Sequence, residues 1–135
     1  MVRVNGQTVG SIEKGYLLFL GVLQGDTEAQ ADWLADKILK LRLFESSTGK
    51  INDQTIGEVG GGMLVISQFT LAGDLSGGHR PDYTAAEERG RAEELYTYFV
   101  DILRKSGLRI ETGQFGAAMD VALINEGPVT LLLDK

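Results

Sequence analysis

The chain has 135 residues, 43% of them hydrophobic, and a formal net charge of −6, enough for a domain whose core needs no covalent staple. It contains no cysteine, which excludes disulfides and thiolate chemistry. The acidic balance excludes a broad, non-specific nucleic-acid binder, because phosphate neutralisation needs clustered Lys and Arg.

No repeat, low-complexity segment or linker divides the sequence, so one domain over residues 1–135 is expected. The most apolar run, Tyr16 to Leu23, is far short of the roughly 20 residues that a helix needs to span a bilayer. Met1-Val2-Arg3-Val4-Asn5-Gly6 has no apolar signal-peptide core, and the cytoplasm is the expected location. In chain order, Val2–Val4 and Thr8–Ile12 flank Asn5-Gly6 and read as a hairpin. Gly15 precedes the continuous apolar run Tyr16–Val22, the signature of a strand buried on both faces. Thr27 and Gln30 have capping-box spacing, and the helix they open should run to about Leu41 on an apolar stripe of Ala31, Leu34, Ala35 and Ile38. Arg42–Phe44 begins a strand. Residues 45–62 read as a polar, Gly-rich loop, and Met63–Phe69 as a second buried strand.

A polar loop over Gly73–Asp82 precedes a long helix predicted from about Thr84 to Lys105. Its core face is Ala92, Leu95, Phe99 and Ile102, and Gly107 follows as a C-cap signal. Leu108–Thr112, Met119–Asn125 and Val129–Leu133 read as three closing strands. Strands and helices in this order predict two long helices packed on mixed sheets, an α/β architecture that is not doubly wound.

Several chemistries drop out. The one histidine, His79, lies in the loop Gly77-Gly78-His79-Arg80 and reads as a solvated residue, not as the base of a triad. Metal sites built on Cys or several His are impossible, and no carboxylates recur at EF-hand spacing. Ser47-Thr48-Gly49-Lys50 lacks P-loop spacing, and Gly60-Gly61-Gly62 leads into a strand instead of a helix. No metal and no cofactor are expected.

Two segments remain: Ser67-Gln68-Phe69-Thr70-Leu71 at the end of an apolar strand, and Asn125-Glu126-Gly127-Pro128-Val129-Thr130 between two apolar strands. Each alone has a plain reading, as a polar strand end and as a Gly-Pro turn. Together with Gly15–Val22, Asp32–Ile38, Arg42-Leu43-Phe44, Arg80-Pro81, Leu95–Phe99 and Glu111–Gly116, in that order and spacing, they resemble the D-aminoacyl-tRNA deacylase family over nearly the whole chain. The resemblance implies a three-layer α/β/β fold and a homodimer that hydrolyses the ester between a D-amino acid and tRNA. Family members usually begin with a strand carrying Gln-Arg-Val before the position of Val2. This chain starts after it, so the family's first strand, with its arginine, is expected to be missing and a pairing edge to be exposed.

By the same resemblance, Gly127-Pro128 is a cis peptide that reaches into the partner subunit's active site. Rigid main-chain atoms there would hold the amino group and fill the space an L side chain requires, so a clash supplies the selectivity. Glycine has no side chain to reject, and glycyl-tRNA should also be hydrolysed. The backbone N–H groups of Phe69 and Thr70 in the Ser67–Thr70 turn can face a developing oxyanion. Thr70 is a candidate nucleophile or water-positioning group, although a nucleophilic threonine needs a base and none is assured. Gln68 is expected to orient the ester or the adenosine. Met119 is a candidate for the adenine pocket, with a core methionine as its plain reading. Arg80 is either a phosphate contact or a solvated arginine. The expected partner is the tRNA acceptor end, recognised through stacking and the 2′-OH, with no DNA and no membrane. Two alternatives stand beside this reading: a deacylase of mischarged L-aminoacyl-tRNA whose Gly-Pro bond is trans, and a non-catalytic interaction domain that keeps the fold.

Overall fold

Asn5 and Gly6 both have positive φ, 49° and 78°, as a two-residue type I′ turn requires. The computed structural model, which describes residues 1–135, places this turn between β1 (Val2–Val4) and β2 (Gln7–Gly10). Next come β3 (Gly15–Leu20), α1 (Glu28–Lys40), β4 (Arg42–Phe44), β5 (Gln54–Thr55) and β6 (Gly62–Ser67). A 3-10 helix over Phe69–Ala72 follows, then α2 (Arg89–Arg104), β7 (Ile110–Thr112) and β8 (Asp120–Val121).

Three layers result. The strands β3, β6 and β7 form a parallel sheet with β6 in the middle, and β2, β1 and β8 form an antiparallel one. Strand β6 explains its own apolar run, because successive side chains point to opposite faces. Met63 and Val65 join the larger core with Ala35, Tyr96, Phe99 and Leu103 from the two helices, whereas Leu64 and Ile66 pack with Val2 of the antiparallel sheet. All four β6 residues are essentially fully buried. Gly10 allows the two sheets to approach: a Cβ there would overlap the Thr112 carbonyl oxygen.

Helix α1 has the predicted limits. The Thr27 N–H donates to Gln30 Oε1 at 2.8 Å, the Ala29 N–H donates to Thr27 Oγ1 at 3.3 Å, and Leu41 is the C-cap. Five predicted elements differ. Helix α2 begins at Arg89 and not at Thr84, because a turn at Thr84-Ala85 leads into a bridge between Ala86 and Leu23. The Gln24 N–H donates to the Ala85 carbonyl (3.0 Å), and the Glu87 N–H donates to the Val22 carbonyl (2.9 Å). Glu88 then caps the helix, accepting from the Gly90 N–H at 2.9 Å. Its buried stripe is also rotated, to Leu95, Tyr96, Phe99, Val100 and Leu103, leaving Ala92 and Ile102 half-buried.

Strand β6 ends at Ser67, and Phe69 starts the 3-10 helix. Within the predicted loop, β5 pairs with β4, where Asp53 supports Arg42 through its carbonyl (2.7 Å) and carboxylate (3.4 Å). Strand β8 is two residues long, and no strand forms over Val129–Leu133. No neighbouring strand of this chain supplies ladder partners there.

Candidate active site

A parallel sheet aims all its strand C-termini at one edge, and open α/β sheets bind ligands at that edge. Here the chain leaves β3 at Gly21, β6 at Gln68 and β7 at Gly113. The central exit is the Ser67–Thr70 segment. The Gln68 N–H donates to the Leu20 carbonyl at 2.8 Å, which fixes the turn to β3. Gly21 lets the turn lie close, since a Cβ there would be 3.0 Å from Leu71 Cβ and 3.3 Å from the Gln68 carbonyl oxygen.

After Gln68 the backbone closes into the 3-10 helix, with the Leu71 N–H donating to the Gln68 carbonyl at 3.2 Å and the Gly73 N–H to the Thr70 carbonyl at 3.0 Å. The N–H groups of Phe69 and Thr70, as its first two residues, have no acceptor inside that helix. Gln68, its N-cap, makes no side-chain capping bond. The amide of Gln68 points to Thr70 instead: Nε2 donates to Thr70 Oγ1 at 2.6 Å. Ser67 and Gln68 are half-buried, and Phe69 and Thr70 are exposed.

The sequence reading overlooked Tyr83. Its ring meets Phe69 edge-on, with centroids 5.2 Å apart, and lies against Gly73. Residues 74–82 form a closed loop, because Asp74 and Asp82 exchange backbone hydrogen bonds of 2.8 and 3.0 Å. Both carboxyls are held below their usual range by backbone donors, Ser76 N–H for Asp74 and Thr84 N–H for Asp82. His79 and Arg80 are exposed on this loop. The only hint of Tyr83 in the sequence was an aromatic residue in an otherwise polar stretch.

Met119 is half-buried. It packs with Val2, Leu64 and Ile66, and its sulfur would stand 2.6 Å from a Cβ on Gly113. The structure therefore puts Met119 under the β7 exit, against the antiparallel sheet.

Gly127 and Pro128 are not brought to the Ser67–Thr70 turn within this chain. Their peptide bond is cis, and a Cβ on Gly127 would find nothing within 4 Å. They form the tip of an arm whose ends are tied down. At one end the Ala122 N–H donates to the Met1 carbonyl at 2.9 Å. At the other, Leu133 packs on the larger core and Lys135 Nζ lies 5.0 Å above the Trp33 ring. Between them Ile124 is 95% exposed and Leu132 85%. No three His, Asp or Glu side chains are grouped to hold a metal ion, and no helix is long and apolar enough to cross a membrane.

The sequence profile of the D-Tyr-tRNA(Tyr) deacylase family matches residues 1–134. The D-aminoacyl-tRNA deacylase of Desulfatibacillum aliphaticivorans is 50% identical over 134 residues, which cover 99% of this chain and 91% of that protein. The one from Thermotoga petrophila is 49% identical, with 99% and 89% covered. The solved c-Myc DNA unwinding element binding protein superposes with a TM-score of 0.93 at 36% identity, covering 99% of this chain and 91% of that one. A probable eukaryotic D-amino acid tRNA deacylase shares the fold at a TM-score of 0.80 and 17% identity, over 94% and 89%.

Proposed function

Because the chain belongs to the D-Tyr-tRNA(Tyr) deacylase family, we propose that it hydrolyses the ester between a D-amino acid and the 3′-terminal adenosine of tRNA, and accepts glycine as well. The working unit is a homodimer in which the Gly127-Pro128 tip of one copy enters the Ser67–Thr70 site of the other. The observation that carries this reading is the arm itself: tied at both ends, apolar along its flanks and empty beneath Gly127. A second copy covers such flanks, and a two-fold axis delivers each tip to the opposite site.

The chemistry follows from the turn. The ester carbonyl oxygen lies against the free N–H groups of Phe69 and Thr70, which stabilise the oxyanion as water attacks. Donors of this kind contribute about 2.7–4 kcal/mol where they have been measured. The Thr70 hydroxyl accepts from Gln68, and no side-chain base is hydrogen-bonded to it, so Thr70 positions water and is not the nucleophile. The ribose 2′-OH of the substrate assists the attack. Main-chain atoms of Gly127 and Pro128 hold the α-amino group and occupy the L side chain's space, leaving D side chains of any kind free to point outward. Although one structural relative is named for DNA binding, a net charge of −6 gives this chain no broad cationic face for a duplex.

D-tyrosyl-, L-tyrosyl- and glycyl-tRNA separate the readings. Release of D-tyrosine and glycine with L-tyrosyl-tRNA left intact is the expected result. Release of L-tyrosine instead identifies a deacylase of mischarged L-substrates, and release of none by folded protein identifies an interaction domain. The crossed site has its own test. Gln68→Ala and a Gly127→Val/Pro128→Ala variant, each inactive alone, should regain activity when unfolded and refolded together, because a mixed dimer assembles one intact site.

A further inference from the structure

Residues 123–135 belong to no helix or strand, and their one backbone turn is at Gly127-Pro128. Their one side-chain hydrogen bond runs from Asn125 Nδ2 to Thr130 Oγ1 at 3.0 Å, across the tip that carries Gly127 and Pro128. A Cβ on Gly127 would meet nothing within 4 Å, and residues 122–132 are all exposed. The arm's ends are located by Ala122 and by Leu133, and between them the Gly127-Pro128 turn and the Asn125–Thr130 pair that closes over it shape the tip.

We propose that Asn125 and Thr130 are positioning residues for stereochemical selection, their hydrogen bond bracing the Glu126–Val129 tip in one shape before substrate arrives. This rests on the reading of Gly127-Pro128 as the selective element. A filter that works by clash fails if the clashing atoms can yield, and a displacement of about 1 Å at a reacting centre can cost on the order of 100-fold in rate. A loop that must enter a partner's site also loses less freedom on docking if it is already shaped. The residue types suit the task. The asparagine amide supplies a planar donor, and the threonine hydroxyl accepts from it while keeping its own proton to donate. Neither side chain need touch the substrate.

The test uses the full-length protein. Thr130→Val keeps the side chain's shape and removes the hydroxyl, Thr130→Ser keeps the hydroxyl, and Asn125→Ala removes the donor. The ratio of kcat/KM for D- over L-tyrosyl-tRNA should fall at least about ten-fold, about 1.4 kcal/mol, in Thr130→Val and Asn125→Ala, chiefly through faster L-hydrolysis. It should be largely restored in Thr130→Ser. The double variant should be no worse than either single one, since both remove the same bond. Backbone ¹⁵N order parameters of Glu126, Gly127 and Val129 should drop in the same variants.

A folded Thr130→Val protein with wild-type selectivity and an equally ordered tip overturns the brace, as do effects that simply add. If the wild-type protein itself does not distinguish D from L, the proposed function fails, and the selective role of the brace fails with it.

Discussion

The Tyr96 hydroxyl donates to the Val65 carbonyl at 2.8 Å, and the Gly113 N–H reaches the same oxygen at 3.4 Å. One buried acceptor thereby ties α2, β6 and the β7 exit together, two residues before Ser67. Burial is the main reason that the phenol is pushed up from 10.0 to about 12. The folded protein holds this proton more tightly than the unfolded chain. The resulting stability is fully present below pH 10 and is lost as pH rises through about 12. Tyr96→Phe should cost about 1 kcal/mol at neutral pH and flatten the alkaline loss between those limits. Urea midpoints across the range check this, and an unaltered alkaline limb in the variant would assign the loss to another group.

Thr70→Ala should retain activity within about ten-fold, whereas loss of a true nucleophile costs on the order of 10⁴–10⁶. The basis is that the Thr70 hydroxyl has only the bond it accepts from Gln68 Nε2 at 2.6 Å and no base beside it to take its proton, which a threonine nucleophile needs. Single-turnover deacylation of D-tyrosyl-tRNA decides it. A residual rate near background would reinstate Thr70 as the attacking group.

Gly10 and Gly113 should respond differently to the same added methyl group. At Gly10 it meets the Thr112 carbonyl oxygen, a backbone atom that moves only if the two sheets separate. At Gly113 it meets the Met119 sulfur, near the end of a flexible side chain. Gly10→Ala is expected to cost about 1–3 kcal/mol or more and Gly113→Ala clearly less. Equal shifts in denaturation midpoint would contradict this account of how the layers meet.

Thr27→Ala should destabilise the protein by about 1 kcal/mol, because it removes the oxygen that accepts from the Ala29 N–H at the start of α1. Thr27→Ser should recover most of that loss. A neutral Thr27→Ala in thermal melts would show that packing alone holds this helix end.

Features written in a few adjacent residues were legible without coordinates. Asn5-Gly6 specified the turn, Thr27 and Gln30 the start of α1, and the Met63–Ile66 run a strand buried on both faces. Each of these readings rests on residues within about one turn or one strand of each other. The Ser67–Leu71 and Asn125–Thr130 motifs carried the resemblance to the family whose profile matches residues 1–134. What depended on distant chain was settled only by tertiary structure. Residues 85–87 have helix-compatible side chains, yet Val22 and Gln24 take their backbone groups and delay α2 to Arg89. The β-prone segment Val129–Leu133 forms no strand, because a strand exists only where another backbone meets its donors and acceptors, and no local sequence specifies that neighbour.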